Sequence, residues 1–340
     1  MRPLPVVAPH RHGVFTIAEA IAVGWTPERL EGAARRGSIL RLRHGLYVSA
    51  AVLEDDSARG RRAVHRARAV AATLAWSGSA ASHDSAAMLD FLPTWKIPEL
   101  PCLTVAPRTS GDAVGAHLHR ATLPDARILR TAGPVRTIPA RTVIDIAREK
   151  GLDDAICCGD KALRHYLTNR EELAEVVAEC HRWPGIRRAR EALELFDPLS
   201  ESPLESVSRL RIHQLRIPAP QLQVLITDLS GRPIRRVDEY WDEPGVFGEV
   251  DGREKYDEND PDEQWWSERR QFEALEDLGL EGTRWGKSEI DNPRLIRDKL
   301  ARAFTRARCR PPGPRLWRAV PTEPPTRWQI ERESRLTLSP

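Results

Sequence analysis

The apolar positions of the first fifty residues change period twice. Phe15-Thr16-Ile17-Ala18-Glu19-Ala20 pairs a threonine with a glutamate three residues on, the reciprocal arrangement that satisfies free amides at a helix start. Gly24 breaks that helix. Thr26-Pro27-Glu28 begins another, with proline at the first helical position, where its missing N–H costs nothing. Leu30 and Ala33-Ala34 supply an apolar stripe, and Gly37 closes it. The period then falls to two. Ile39-Leu40-Arg41-Leu42-Arg43-His44-Gly45-Leu46-Tyr47-Val48 alternates apolar and basic residues around a glycine turn, which predicts a β-hairpin. Helix, turn, helix and basic hairpin predict a winged helix-turn-helix over residues 1–60.

The pattern beyond predicts an α+β region over 61–198. An amphipathic helix runs from Arg61 to Trp76. Leu103-Thr104-Val105 and His117-Leu118-His119 alternate as short strands, and 139–196 reads as helical, interrupted at Trp183-Pro184-Gly185. Asp197-Pro198 marks a boundary. Residues 199–308 then read as helix Pro203–Leu215, a hairpin of Leu222–Ile226 and Ile234–Trp241 across Ser230-Gly231, strand Val246–Asp251, helix Trp265–Leu278, strand Leu280–Trp285 and helix Pro293–Ala307. The fold class is therefore α/β multidomain, with an α-β-β-β-α-β-α order in the last domain. Residues 309–340 are rich in proline and arginine, lack periodicity, and are expected to be a mobile tail to which Trp317 and Trp328 add docking side chains.

Composition changes this picture little. The 340 residues, 41% hydrophobic and 30% charged, suffice for two or three domains. No window reaches a membrane span, and Met1–His12 lacks the apolar run of a signal peptide, so no membrane partner and a cytoplasmic location are the expectation. The five cysteines (102, 157, 158, 180, 309) form no CxxC pair, which argues against a zinc ribbon or disulfide framework. Charge is uneven: residues 1–150 hold 21 basic against 13 acidic residues (+8), and the rest 31 against 36 (−5). A basic first half suits nucleic acid. Arg29, Arg35 and Arg36 of the second helix, with Arg41 and Arg43 on one face of the wing, are the candidate DNA contacts. The bland alternative is a solvated face on a packing domain.

Three acidic clusters stand out in the final third: Ser202-Pro203-Leu204-Glu205, Arg236-Val237-Asp238 and Gly248-Glu249-Val250-Asp251-Gly252-Arg253-Glu254-Lys255. Alternate strand residues share a face, so Glu249 and Asp251 are expected to project together, a costly pairing without a cation between them. Divalent ions take converging oxygens of this kind. Each acid also has a structural reading: Glu205 as the third residue of a capping box from Ser202, Asp238 as a partner of Arg235 or Arg236, and Lys255 as a neutralising charge. The histidines 83, 117 and 119 are read as an exposed strand face rather than ligands, since no carboxylate cluster adjoins them in sequence.

The winged-helix stretch, with Ser82-His83-Asp84-Ser85-Ala86-Ala87 and Pro139-Ala140-Arg141-Thr142-Val143-Ile144-Asp145, resembles the AbiEi-like antitoxins of type IV toxin–antitoxin systems over the first half of the chain. That resemblance implies DNA as partner, autorepression, a toxin as protein partner, and the homodimer with which winged-helix regulators read palindromes. Residues 199–305 resemble the very-short-patch-repair endonuclease-like branch of the PD-(D/E)xK superfamily. This second resemblance implies Asp238 as the central metal-binding aspartate, Glu249 as the next acid, Asp251 at the position of the usual lysine or histidine, and Glu205 as the helix acid. Lys255 would supply the missing positive charge. Glu268, with Arg269 or Arg270, would orient a phosphate, and Mg2+ or Mn2+ would be the cofactor. The lysine two residues beyond Glu249 is absent, Tyr256 lies near the place of the final histidine, and Gly282 sits in what should be a core strand. Two functions follow: a DNA-binding metal-dependent endonuclease, or a non-enzymatic antitoxin regulator with a degenerate nuclease fold.

Overall fold

The computed structural model describes residues 4–5, 11–50, 57–109, 115–131, 133–251, 261–310, 314–327 and 329–330; for 58 and 261–268 it describes the backbone. The chain divides into two compact units, residues 1–158 with 167–194 and residues 159–166 with 195–340.

The first unit opens with β1 (Val14–Thr16), α1 (Ile17–Ala22), α2 (Pro27–Arg35), β2 (Ile39–Arg43) and β3 (Leu46–Ser49), the strands ordered β1-β3-β2. Thr16 Oγ1 accepts the Glu19 amide at 3.1 Å and Glu19 accepts the Thr16 amide at 2.8 Å, so the reciprocal cap is present. Ala20, Leu30 and Ala33 pack on Phe15, Ile39 and Tyr47, which fixes both helices against the sheet. The arrangement agrees with a winged helix-turn-helix. One detail departs from expectation. A bulge between Arg41 and Arg43 interrupts the alternation of β2, leaving Arg41 exposed and Arg43 half-buried, so they do not share one exposed face.

There follow α3 (Ala58–Ala75), β4 (Ala80–Ala81), α4 (His83–Leu89), β5 (Cys102–Val105), β6 (His117–Arg120), β7 (Ile128–Leu129), β8 (Arg136–Thr137), α5 (Pro139–Glu149), α6 (Leu152–Arg164), α7 (Arg170–Glu179) and α8 (Ile186–Leu195). β4 to β8 make one sheet, ordered β6-β5-β4-β8-β7. The domain boundary expected near residue 60 is corrected: Val14, Leu46 and Val48 share one apolar cluster with Ala67, Val70 and Leu103. The small residues along α3, Ala67, Ala69, Ala71 and Ala72, let the wing and the middle region close over a single core.

The second unit takes α9 (Pro203–Gln214), β9 (Gln221–Asp228), β10 (Pro233–Trp241), β11 (Val246–Asp251), α10 (Pro261–Asp277), β12 (Glu281–Gly286), α11 (Lys287–Asp291), α12 (Pro293–Cys309) and β13 (Trp317–Val320). The element order is the one expected, with α11 added. β9, β10 and β11 form an antiparallel meander, and β12 lies parallel to β11 after the α10 crossover. The Ser230-Gly231 turn is held by Asp228, whose Oδ1 accepts from the Ser230 and Arg232 amides at 2.9 Å, with Gly231 at φ 89°.

Gly282 has a packing reason: a Cβ there would lie 2.2 Å from Phe272 Cζ and 2.6 Å from Phe247 Cζ. The two rings fill the space a bulky strand residue would occupy. The expectation of a mobile tail from 309 is corrected at residues 317–320. β13 extends the sheet along β9, pairing Trp317 with Asp228 and Val320 with Leu225. Trp317 donates its indole N–H to the Tyr240 hydroxyl at 2.9 Å, which anchors the strand. The four residues Trp317-Arg318-Ala319-Val320 are too short a run to read as a strand in sequence. Trp328 lies outside the described residues. Among the described residues no helix is long and apolar enough to cross a membrane.

Candidate functional site

Three constellations gather the charged and polar side chains of interest. The first is the surface of α2 and the wing. Leu30 and Ala33 face inward, which turns Arg29, Arg35 and Arg36 outward, all exposed. Arg29 and Arg36 are seven residues apart, two helical turns, and therefore share a side of the helix. Exposed Arg41 reaches back over the wing tip, its Nη2 2.8 Å from His44 Nδ1.

The second constellation lies in the second unit. The Ser202 hydroxyl caps α9 by accepting the Glu205 amide at 3.2 Å, and donates to Glu205 Oε1 at 2.7 Å. Glu205 Oε2 accepts from the Glu201 amide and from Gln223 Nε2, both at 2.9 Å. The same Gln223 amide is 3.4 Å from Asp238 Oδ1, and Asp238 Oδ2 accepts the Val250 amide at 2.9 Å. The Cα register between β10 and β11 runs from Trp241↔Val246 to Glu239↔Gly248 and stops there. The Asp238 carboxylate thus takes a backbone donor just where the two strands part. Gln223 is therefore the hub joining Glu205 to Asp238. It is buried, has φ 52°, and its Oε1 has no hydrogen-bond partner among the described residues.

Glu249 is held differently. Arg235 donates Nε to Oε1 at 2.7 Å and Nη2 to Oε2 at 2.6 Å, and Arg284 lies 3.8 Å from Oε2. The positive charge beside this acid is a guanidinium. Asp251 is exposed at the end of β11. Of the other candidates, Lys255 and Tyr256 lie outside the described residues, as does the side chain of Glu268. Arg269 pairs with Glu273 at 2.8 Å along α10, and Arg236 pairs with Glu201. Among the described residues no three of Glu205, Asp238, Glu249 and Asp251 bring ligand atoms within 4.8 Å of one another.

Sequence reasoning did not find Gln223 or Glu239. Both are polar residues beside apolar neighbours, Leu222-Gln223-Val224 and Glu239-Tyr240-Trp241, and a polar side chain at such a position is the available signal. Glu239 is fully buried. Desolvation pushes its carboxyl up to about 8, while the Ser208 hydroxyl, 2.8 Å from Oε1, opposes the shift.

The third constellation is assembled by the fold of the first unit, which buries His83 on α4 instead of leaving it on an exposed strand face. His83 Nε2 lies 3.4 Å from Glu149 Oε1, and His119 Nδ1 lies 2.9 Å from Glu149 Oε2. The carboxylate is far away in sequence, on α5, so no local spacing announces the group. Its residues line a cleft of about 800 Å³ together with Arg141, Arg148, Arg182 and Trp183.

Each similarity found covers part of the chain. Two curated relatives, "Uncharacterized protein MT2308" of Mycobacterium tuberculosis (strain CDC 1551 / Oshkosh) and "Uncharacterized protein Rv2248" of the H37Rv strain, are each 35% identical over 129 residues, which is 38% of this chain. The chain spans about half the length of these relatives, 47%. The solved structure titled "Crystal structure of RV2827C protein from Mycobacterium tuberculosis" aligns with 57% of this chain and 78% of that one at 15% identity, with a TM-score of 0.33, too low to carry an argument. Residues 7–50, which contain α1, α2 and the wing, match the family model described as "Transcriptional regulator, AbiEi antitoxin".

Proposed function

We propose that this protein is a DNA-binding transcriptional regulator of the antitoxin type. α2 would enter the major groove with Arg29, Arg35 and Arg36, and the wing would approach the backbone through Arg41. The observation that carries this reading is the outward-facing arginine set on α2, within the residues that match the antitoxin regulator family. Its natural target is the DNA upstream of its own gene, its protein partner a toxin, and its working form a homodimer on a palindrome. The test is a mobility-shift assay with that upstream DNA across a salt series. Binding should weaken with salt, and removing one phosphate-contacting arginine should reduce the log–log slope by about 0.9. If Arg29→Ala, Arg35→Ala and Arg36→Ala all bind like the native chain, α2 is not the reading helix.

A second reading, a phosphodiester hydrolase, is favoured by one observation. Gln223 joins Glu205 and Asp238 where β10 and β11 part. The Mg2+ or Mn2+ that this reading implies does not fit the carboxylates as they stand. Both oxygens of Glu205 and of Asp238 already accept protein donors, and Glu249 is chelated by Arg235. Plasmid incubated with the protein and either ion tests the reading. Nicking that Asp238→Ala abolishes would establish it, and intact plasmid would remove it.

A further inference from the structure

We propose that the first unit carries a transition-metal site of the zinc type, with His83, His119 and Glu149 as ligands and an open coordination position facing the arginine-lined cleft. The site is independent of the DNA-reading surface and of the acids on β10 and β11.

Geometry is the first argument. One potential ligand atom from each residue lies within 4.8 Å of the other two, and among the described residues this is the one group of histidine, cysteine and acidic side chains that does so. Around a tetrahedral zinc, with ligands at about 2.0–2.2 Å, neighbouring donor atoms are about 3.3–3.5 Å apart. The separations from Glu149 are 3.4 Å to His83 Nε2 and 2.9 Å to His119 Nδ1. The donors already stand near ligand spacing, so binding needs only small side-chain adjustments.

An unmet polar atom is the second argument. The His83 side chain is 2% exposed, and its Nε2 has no hydrogen-bond partner among the described residues despite its nearness to Glu149. A buried ring nitrogen left unpaired costs about 1–3 kcal/mol, and a cation between imidazole and carboxylate removes that cost. The His83 and His119 rings stack at 3.6 Å with 17° between planes, so the two imidazoles sit side by side at the same carboxylate.

Supporting contacts orient the ligands. His83 Nδ1 lies 3.0 Å from Ser82 Oγ, which directs Nε2 toward Glu149. Arg148 donates to Glu149 Oε1 at 3.0 Å, and is itself anchored by Asp145 at 3.2 Å and by the Pro184 carbonyl at 2.7 Å. Outer contacts of this kind fix ring and carboxylate orientation in metal sites. Two imidazoles and one carboxylate suit zinc or ferrous iron, whereas magnesium and calcium prefer oxygen-only shells.

The experiment uses tag-free, full-length protein stripped with chelator. It is titrated with Zn2+ against a chromophoric competitor, and separately with Co2+ while the visible d–d bands are recorded. The expected result is one equivalent per chain, with cobalt bands of four- or five-coordinate intensity. His119→Ala and Glu149→Gln should each weaken binding at least tenfold, while His213→Ala, on an exposed position of α9, should not. Glu149→Gln keeps the side-chain shape, and an unchanged circular dichroism spectrum separates loss of ligand from loss of fold. The proposal is overturned if the native chain takes up no stoichiometric zinc. It is equally overturned if Glu149→Gln and His119→Ala, both folded, bind as the native protein does, or if His213→Ala loses the metal as they do.

Discussion

Arg235 on β10 chelates Glu249 on β11 through two hydrogen bonds, 2.7 and 2.6 Å, with side chains only 13% and 9% exposed. Breaking a buried pair by removing one partner strands the other charge, at a cost of about 3–5 kcal/mol. Arg235→Ala is therefore expected to lose about that much in urea denaturation, and the double change Arg235→Met with Glu249→Leu to recover most of it. A loss below ~1 kcal/mol in the single variant would mean that water reaches Glu249 freely.

Glu239 adds a pH dependence to the same sheet. Its folded-state pKa, about 8, lies above the ordinary 4.5 because burial disfavours the charged form, with Asp238 and Glu205 adding to the rise and Ser208 and Arg209 opposing it. A raised pKa means that the folded state holds the proton longer. The contribution to stability is full below pH 4.5 and is lost as pH rises toward about 8, by up to ~1.4 kcal/mol per pH unit. Glu239→Gln, which mimics the protonated acid, should flatten this slope and be the more stable protein at pH 8. Equal slopes in the two proteins would refute the buried neutral acid.

His65 acts at the other end of the scale. Its Nδ1 lies 3.1 Å from the Pro98 carbonyl, which can only accept, so Nδ1 carries the hydrogen and Nε2 receives the Ser85 hydroxyl at 2.9 Å. Desolvation lowers its pKa to about 4; Arg66 and Arg68 act in the same direction, and Asp84 opposes them. Here the unfolded chain binds the proton first. Stability present above pH 6.5 is lost as pH falls toward 4. The ring resonances of His65 should stay in the neutral position down to about pH 4, and a midpoint near 6.5 in the folded protein would contradict the assignment.

Gly282→Ala tests the packing of β12. The added methyl would meet Phe272 and Phe247 inside van der Waals contact. Overpacking of this kind costs about 1–3 kcal/mol, and Phe272→Leu in the same chain should restore part of it. A neutral Gly282→Ala would show that the rings have room to move.

Local pattern determined much of the architecture. The caps at Thr16 and Ser202, the proline starts of α2 and α9 and, α11 and β13 aside, the order of elements after residue 199 all follow signals that act over a few residues. Glu205, Asp238 and Glu249 were visible as acids in apolar surroundings. Ser202, the local partner of Glu205, is legible from the cap, but Gln223 and the Arg235–Glu249 pair are not, because bonds across the sheet join residues by position. Gln223 meets Glu205 across 18 residues, and Arg235 rather than a metal answers Glu249 across 14. The shared core of the wing with α3, the docking of β13 on β9, and the meeting of His83 and His119 with Glu149 were decided by tertiary structure alone. Each depends on which faces of separate elements are brought together to bury apolar surface, and periodicity along the chain records which side of an element is buried without naming what it will be buried against.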